Sequence, residues 1–256
     1  MIFNLISYIA SGDRTSIIFG VVTLLLRIPA ILLALSIHEA SLGFVAYKLG
    51  DPTAKSLGRL TINPVKHIDP IGALAMLILG VGWAKPVPVN SRYFKHPKRD
   101  MALTAAAGPL SNILQGLVGV LLMFIGLRLY FGTLSAQDAA SLTNSGTLIS
   151  LFLGMIIKGE TGIKVLGILF YLLYIYASLN FVLAIFNLIP IPPFDGSRLL
   201  FVFLPDKWYF GIMKYERFIM IGFLALFYLG GSTVFSVAVG WVIDLVYKGF
   251  FWILTI

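Results

Sequence analysis

Apolar residues in this chain fall into long runs, separated by polar stretches carrying proline and glycine. The run IIFGVVTLLL at 17–26 is interrupted by Arg27 and Pro29, and a second run, AILLALSIHEASLGFVAYKL at 30–49, closes at Gly50. Proline at a first helical turn and glycine just past an end punctuate helices, so the pattern predicts a helix from about Pro29 to Leu49. Residues 51–70 mix prolines, charges and alternating positions and predict a folded loop with short strands. IGALAMLILGVGW at 71–83 is short against a hydrocarbon core about 30 Å thick, which predicts a tilted, re-entrant or interfacial segment. The alternating Pro86 and Pro88 in 83–100 predict an extended or edge-strand hairpin. Long spans follow at about 101–131, with a local break allowed at Gly108-Pro109, and at about 163–189. A polar linker at 132–146, a short apolar run at 147–157 and two further candidates at about 215–230 and 233–247 complete the pattern. NLIPIPPFDGSRLL at 187–200 carries three close prolines and Asp195-Gly196, and predicts a helix interruption at membrane depth.

Composition turns these runs into a class. With 59% hydrophobic and 12% charged residues and a mean hydropathy of +0.94, the chain is far more apolar than a soluble domain. The prediction is an all-α multi-pass membrane protein of about six transmembrane helices with short extended or hairpin loop elements. It forms one membrane-embedded domain over 1–256, with core blocks at about 29–200 and C-terminal helices at about 215–247. The net charge of +8 is scattered through loops, which matches bilayer orientation and anionic headgroups and gives no reason to expect nucleic acid. Cysteine is absent, which excludes disulfides and thiolate metal ligands. MIFNLISYIASGDR lacks the basic n-region and cleavage site of a removable signal, so an uncleaved first helix is expected. Lys85, Arg92, Lys95, Lys98 and Arg99 stand against Asp100 alone in 84–100, which places that loop in the cytoplasm.

Ionisable groups inside the membrane are costly and are functional candidates by default, which singles out His38, Glu39 and Asp195. His38 and Glu39 are the first two positions of H-E-x-x-H, in which two histidines on one helical face bind zinc and the glutamate serves as base. The fifth position is Leu42. Taken alone, each residue has a plainer reading: a hydrogen-bonded packing histidine, a glutamate paired with an arginine, an Asp-Gly turn.

Three blocks together carry a resemblance. HEASLGFVAYKLGDPTAKSLGRLTINPVKHIDPIG, GWAKPVPVNSRYFKHPKRDMALTAAAGPLSN and LNFVLAIFNLIPIPPFDGSRLL cover about 36–200 in the family's order, and the chain resembles a bacterial or archaeal member of the site-2 protease family, the intramembrane zinc metalloproteases. The resemblance implies that His38 and Asp195 hold zinc, that Glu39 activates the bound water, and that Asn112 and Asn187 bind or position substrate or bond between helices. It further implies a transmembrane protein as substrate, the lipid bilayer as medium and a prokaryotic plasma membrane as location. The departure is Leu42, whose isobutyl group has no lone pair to replace the second histidine. Of the other two histidines, His67 lies in a block the family carries beside an intact motif, and His96 lies in the basic loop, so neither is expected to replace the ligand. The expectation for this chain is weak or absent proteolysis. The alternatives are a non-catalytic relative that binds membrane helices and, from polar residues alone, a transporter or proton relay through Glu39 and Asp195.

Overall fold

The computed structural model describes residues 2–72 and 84–256. The run expected as a tilted or re-entrant segment falls outside these residues from 73 to 83. Two helices open the chain, α1 (Ile2–Ser11) and α2 (Arg14–Lys48), with Asp13 capping the second by accepting from the Ser16 amide at 2.8 Å. α2 corrects the expected start at Pro29, because it runs unbroken through Arg27 and Pro29. Inside a hydrocarbon core one proline costs a single backbone hydrogen bond, whereas ending and restarting a helix would orphan about eight polar groups.

A short helix α3 (Thr53–Ser56) leads into a loop and then a strap at 84–90. The expected strands and hairpin reduce here to one isolated antiparallel bridge between Ile68 and Ala84, with no named strand among the described residues. Pro86 and Pro88 cannot donate to a ladder, so side chains and stray carbonyls hold the strap instead. The Lys85 amide donates to the His67 carbonyl at 2.8 Å, the Arg59 guanidinium donates to the Lys85 carbonyl at 2.6 Å, and the Asn90 amide donates to Asp51 at 2.6 Å.

The central pair is α4 (Pro97–Phe131) and, after α5 (Ala136–Ser141) and α6 (Ser145–Lys158), α7 (Thr161–Asn187). α4 carries Pro109 without a break in the helix. α4 and α7 run antiparallel along a seam of glycines: Gly126 lies under the Phe170 ring, Gly119 against Ala177 and Gly116 under the Phe181 ring. Small residues let membrane helices approach closely, and that packing replaces the hydrophobic drive that lipid cannot supply. α2 lies alongside both, parallel to α7, with Thr23 bonded to Tyr171 at 2.7 Å.

α8 (Asp195–Phe201), α9 (Asp206–Met213) and α10 (Glu216–Leu226) follow a tight turn, and a π-turn at Phe227–Gly231 leads into α11 (Ser232–Phe250). Four helices among the described residues are long and apolar enough to cross a membrane: Arg14–Lys48, Pro97–Phe131, Thr161–Asn187 and Thr233–Leu254. The difference from the expected count of about six lies partly in α6 and α10, which are apolar but only 14 and 11 residues long.

Candidate metal centre

Three elements converge on His38, and each has a sequence reason to be there. On α2, successive residues point about 100° apart, so His38 faces α4 and α8 while Glu39 faces the strap. α7 stops at Asn187, the segment LIPIPPF folds back on itself with the Phe194 amide bonded to the Ile191 carbonyl, and α8 starts at Asp195. Gly196 is required in that turn, because a Cβ there would lie 2.7 Å from the Ile189 carbonyl. α4 contributes Gly108, whose missing side chain leaves the room in which the other two residues meet. A Cβ on Gly108 would stand 2.6 Å from His38 Nε2 and 3.0 Å from Asp195 Oδ2.

In that cradle His38 Nε2 lies 3.2 Å from Asp195 Oδ2. Although this is ion-pair distance, the buried Oδ2 has no hydrogen-bond partner. A close approach without a hydrogen bond leaves two electron-pair donors facing a common space. Two ligands about 2.0–2.2 Å from one tetrahedral zinc would stand roughly 3.3–3.6 Å apart, so a separation slightly widened from the present one would fit two positions of such a site. The third protein ligand has no counterpart, since no group of three or more His, Cys, Asp or Glu that could hold a metal occurs among the described residues. Leu42 is half-buried one turn beyond His38, where the second histidine of the motif would stand.

The remaining expected residues have defined partners. Glu39, 8% exposed, accepts a hydrogen bond on Oε2 from the Val87 amide of the strap at 2.7 Å. Asn112 is fully buried, with Oδ1 2.6 Å from His38 Nδ1. Asn187 turns back on its own helix and donates to the Leu183 carbonyl at 3.0 Å. His67 is buried in the loop with Nε2 2.7 Å from the Thr61 carbonyl, far from a ligand role, and burial pushes its pKa down. His96 donates its backbone amide to Asp100 at the start of α4.

Sequence reasoning missed the residues that hold these groups in place. Arg59 fixes the strap whose Val87 amide reaches Glu39, and Asn180 on α7 accepts a hydrogen bond from Asn112 at 2.8 Å. A polar amide inside the run YIYASLNFVLAIF was the available clue, because an unpartnered amide in hydrocarbon is costly. A largely apolar cavity of about 390 Å³ opens along another face of α2, lined by Ile37, Ala40, Ser41, Phe44, Val45, Ile62 and Ala107 and by none of the expected site residues.

Known proteins place this chain in a family. The family model described as Peptidase family M50 matches residues 27–229. A Bacillus subtilis (strain 168) protein, YwhC, named provisionally as a zinc metalloprotease, is 34% identical over 197 residues, which are 77% of this chain and 77% of that protein. Rip2 of Mycolicibacterium smegmatis, named in the same provisional way, is 29% identical over 97 residues, covering 35% of this chain and 36% of its own. No solved structure matches. A family match from residue 27 to residue 229 spans both His38 and Asp195, and the chain belongs to peptidase family M50, the site-2 proteases, whose members are membrane zinc metalloproteases.

Proposed function

We propose that this chain is a single-domain intramembrane protease scaffold of the plasma membrane of a prokaryote, built to hydrolyse a peptide bond in or near a transmembrane helix of a substrate protein, and that Leu42 leaves it weakly active or inactive. The observation that carries the reading is the meeting of His38 Nε2 and the unpartnered Asp195 Oδ2 in the Gly108 cradle. In this reading His38 and Asp195 would hold zinc, which when bound acidifies a water and polarises a peptide carbonyl. Glu39 would serve as the proton acceptor there, and the Val87 amide bonded to its Oε2 keeps the carboxylate from swinging away. The apolar cavity along α2 receives hydrocarbon side chains of the substrate, and the basic residues of the 84–100 loop face the cytoplasm.

Leu42 lowers the protein donor count from three to two. Zinc affinity and the placement of its water depend on ligand number and on support around the ligands, so occupancy should fall well below one ion per chain. The same residue favours a second reading, a non-catalytic relative that binds membrane helices through the inherited groove. In that case Glu39→Gln changes nothing, while substitutions at Phe44 or Ile62 weaken binding.

The deciding experiment measures bound zinc and cleavage of a transmembrane substrate for this chain and for Leu42→His side by side. We expect little zinc and little cleavage in the first and a gain of both in the second, with the gained cleavage abolished by Glu39→Gln. If Leu42→His gains neither zinc nor cleavage, the ligand roles of His38 and Asp195 are wrong.

A further inference from the structure

A chain of buried amides leads from His38 across α4 to α7 and ends on a group that can act in only one way. Asn180 Nδ2 donates to the Tyr176 backbone carbonyl at 2.9 Å, and a carbonyl can only accept. Turning the Asn180 amide over would set two oxygens against each other, so Asn180 must present Oδ1 to Asn112. Asn112 therefore donates through Nδ2 at 2.8 Å, and its own Oδ1 is left to face His38 Nδ1 at 2.6 Å. An amide oxygen at that distance requires a proton on Nδ1. When the imidazole is neutral, its lone pair is then on Nε2, the atom 3.2 Å from Asp195.

We infer that Asn180, fully buried and hydrogen-bonded to Asn112 and the Tyr176 carbonyl, is a positioning residue that sets the tautomer of His38 through Asn112 and so aims the Nε2 lone pair at Asp195. The inference rests on the proposed metal centre only for the use of that lone pair; the tautomer itself follows from the hydrogen bonds. Both asparagines are fully buried between helices, so water offers no easy substitute for a lost bond. The His67 ring provides an internal contrast, since its Nε2 faces the Thr61 carbonyl and must carry the proton there.

The test is ¹⁵N-histidine NMR of the metal-free protein in lipid nanodiscs at a pH of about 9, with His96→Gln removing the third histidine. We expect one Nδ1–H ring, assigned to His38 by its loss in His38→Asn, and one Nε2–H ring from His67. An Nε2–H or doubly protonated His38 overturns the inference. Asn180→Leu frees Asn112 to turn, and the His38 signal should become a mixture of tautomers or switch to Nε2–H; a folded Asn180→Leu protein with an unchanged signal also overturns it. Should Asn180→Leu fail to fold, Asn180→Asp decides. An aspartate in either protonation state still offers Asn112 an acceptor, so the Nδ1–H ring is retained, and its loss there counts against the inference. In the Leu42→His background, Asn180→Leu should weaken zinc binding about 10–100-fold, and Asn180→Asp should restore most of it. A failed metal centre would leave the tautomer result standing, so the two ideas can fail separately.

Discussion

Helices α2, α4 and α7 meet twice, joined by α6 at one end and by α8 at the other, and the two meetings are built on opposite principles. Toward one end Phe19, Phe124, Phe152, Phe170 and Tyr171 form an aromatic core with Thr23–Tyr171 as a polar contact. Toward the other, His38, Asn112 and Asn180 form a buried polar chain, and Asp195 stands in the Gly108 cradle. Gln115 and Tyr176, bonded at 2.5 Å, lie at the border. An aromatic core gains its energy from many weak contacts and can absorb a local change by repacking. A polar chain inside hydrocarbon leaves each donor with one usable acceptor, so a single alteration there changes what its neighbours can do.

The largest effect that separates the two ends is on stability. Phe152 is fully buried, with ring centroids 6.1 Å from Phe170 and 6.4 Å from both Tyr171 and Tyr174. Phe152→Ala should destabilise the protein by about 3–5 kcal/mol, read as unfolding of the protein in micelles, by opening a cavity in that core. In the Leu42→His background its zinc affinity should remain unchanged while the protein is folded, because distant sites with no shared partners act independently. Parallel loss of zinc would show that the two ends are one cooperative unit.

A pair of identical substitutions sharpens the contrast. Gly119→Ala would place a methyl 3.1 Å from Ala177 Cβ, a contact that a few tenths of an ångström relieves. Overpacking and improved helix propensity then nearly cancel, and stability should change by no more than about 1 kcal/mol. Gly108→Ala would put the same methyl 2.6 Å from His38 Nε2, inside the space where the two donors meet. It should reduce zinc binding of the Leu42→His protein at least roughly 100-fold, measured by competition with a chelator, with only a modest change in unfolding. Equal zinc binding in the two alanine variants would remove Gly108 from the site.

What was legible in the chain follows the same division. Runs of apolar residues placed the cores of α2, α4, α6 and α7, because hydrophobic length is a property of the segment itself. The start of α2 was missed because Pro29 looks like punctuation, and only the cost of orphaned backbone groups in lipid keeps the helix going past it. His38, Glu39 and Asp195 were visible as ionisable residues in apolar surroundings, and the family blocks put them in one set. The cradle at Gly108 and the amide at Asn180 were not, since their roles exist only where three elements converge. Leu42 was visible as a missing donor from the beginning, and none of the described residues around His38 and Asp195 forms a third ligand in its place.

The smallest expected effect lies in the loop outside the spans, where His67 is locked beneath the strap. Its Nε2 faces the Thr61 carbonyl, its carbonyl accepts from Lys85, and its Nδ1 is buried without a partner. Burial, more than the nearby Arg59 charge, holds its pKa below the ordinary 6.5, against a weaker upward pull from the Thr61 bond. The folded protein therefore binds a proton at His67 less readily than the unfolded chain does. Above pH 6.5 the ring is neutral in both states and its contribution to stability is fully present. As pH falls below 6.5 the unfolded chain takes up the proton first, and stability drops until pH passes through the lowered value of the folded state. The steepest slope one such group allows is about 1.4 kcal/mol per pH unit. Thermal unfolding between pH 7.5 and pH 5 should therefore fall more steeply for the unaltered chain than for His67→Gln, whose amide can still donate to Thr61 but does not titrate. Identical slopes would mean that the strap opens to water around His67, and that the rigid seat it gives the Val87 amide, and through it Glu39, is weaker than the hydrogen bonds imply.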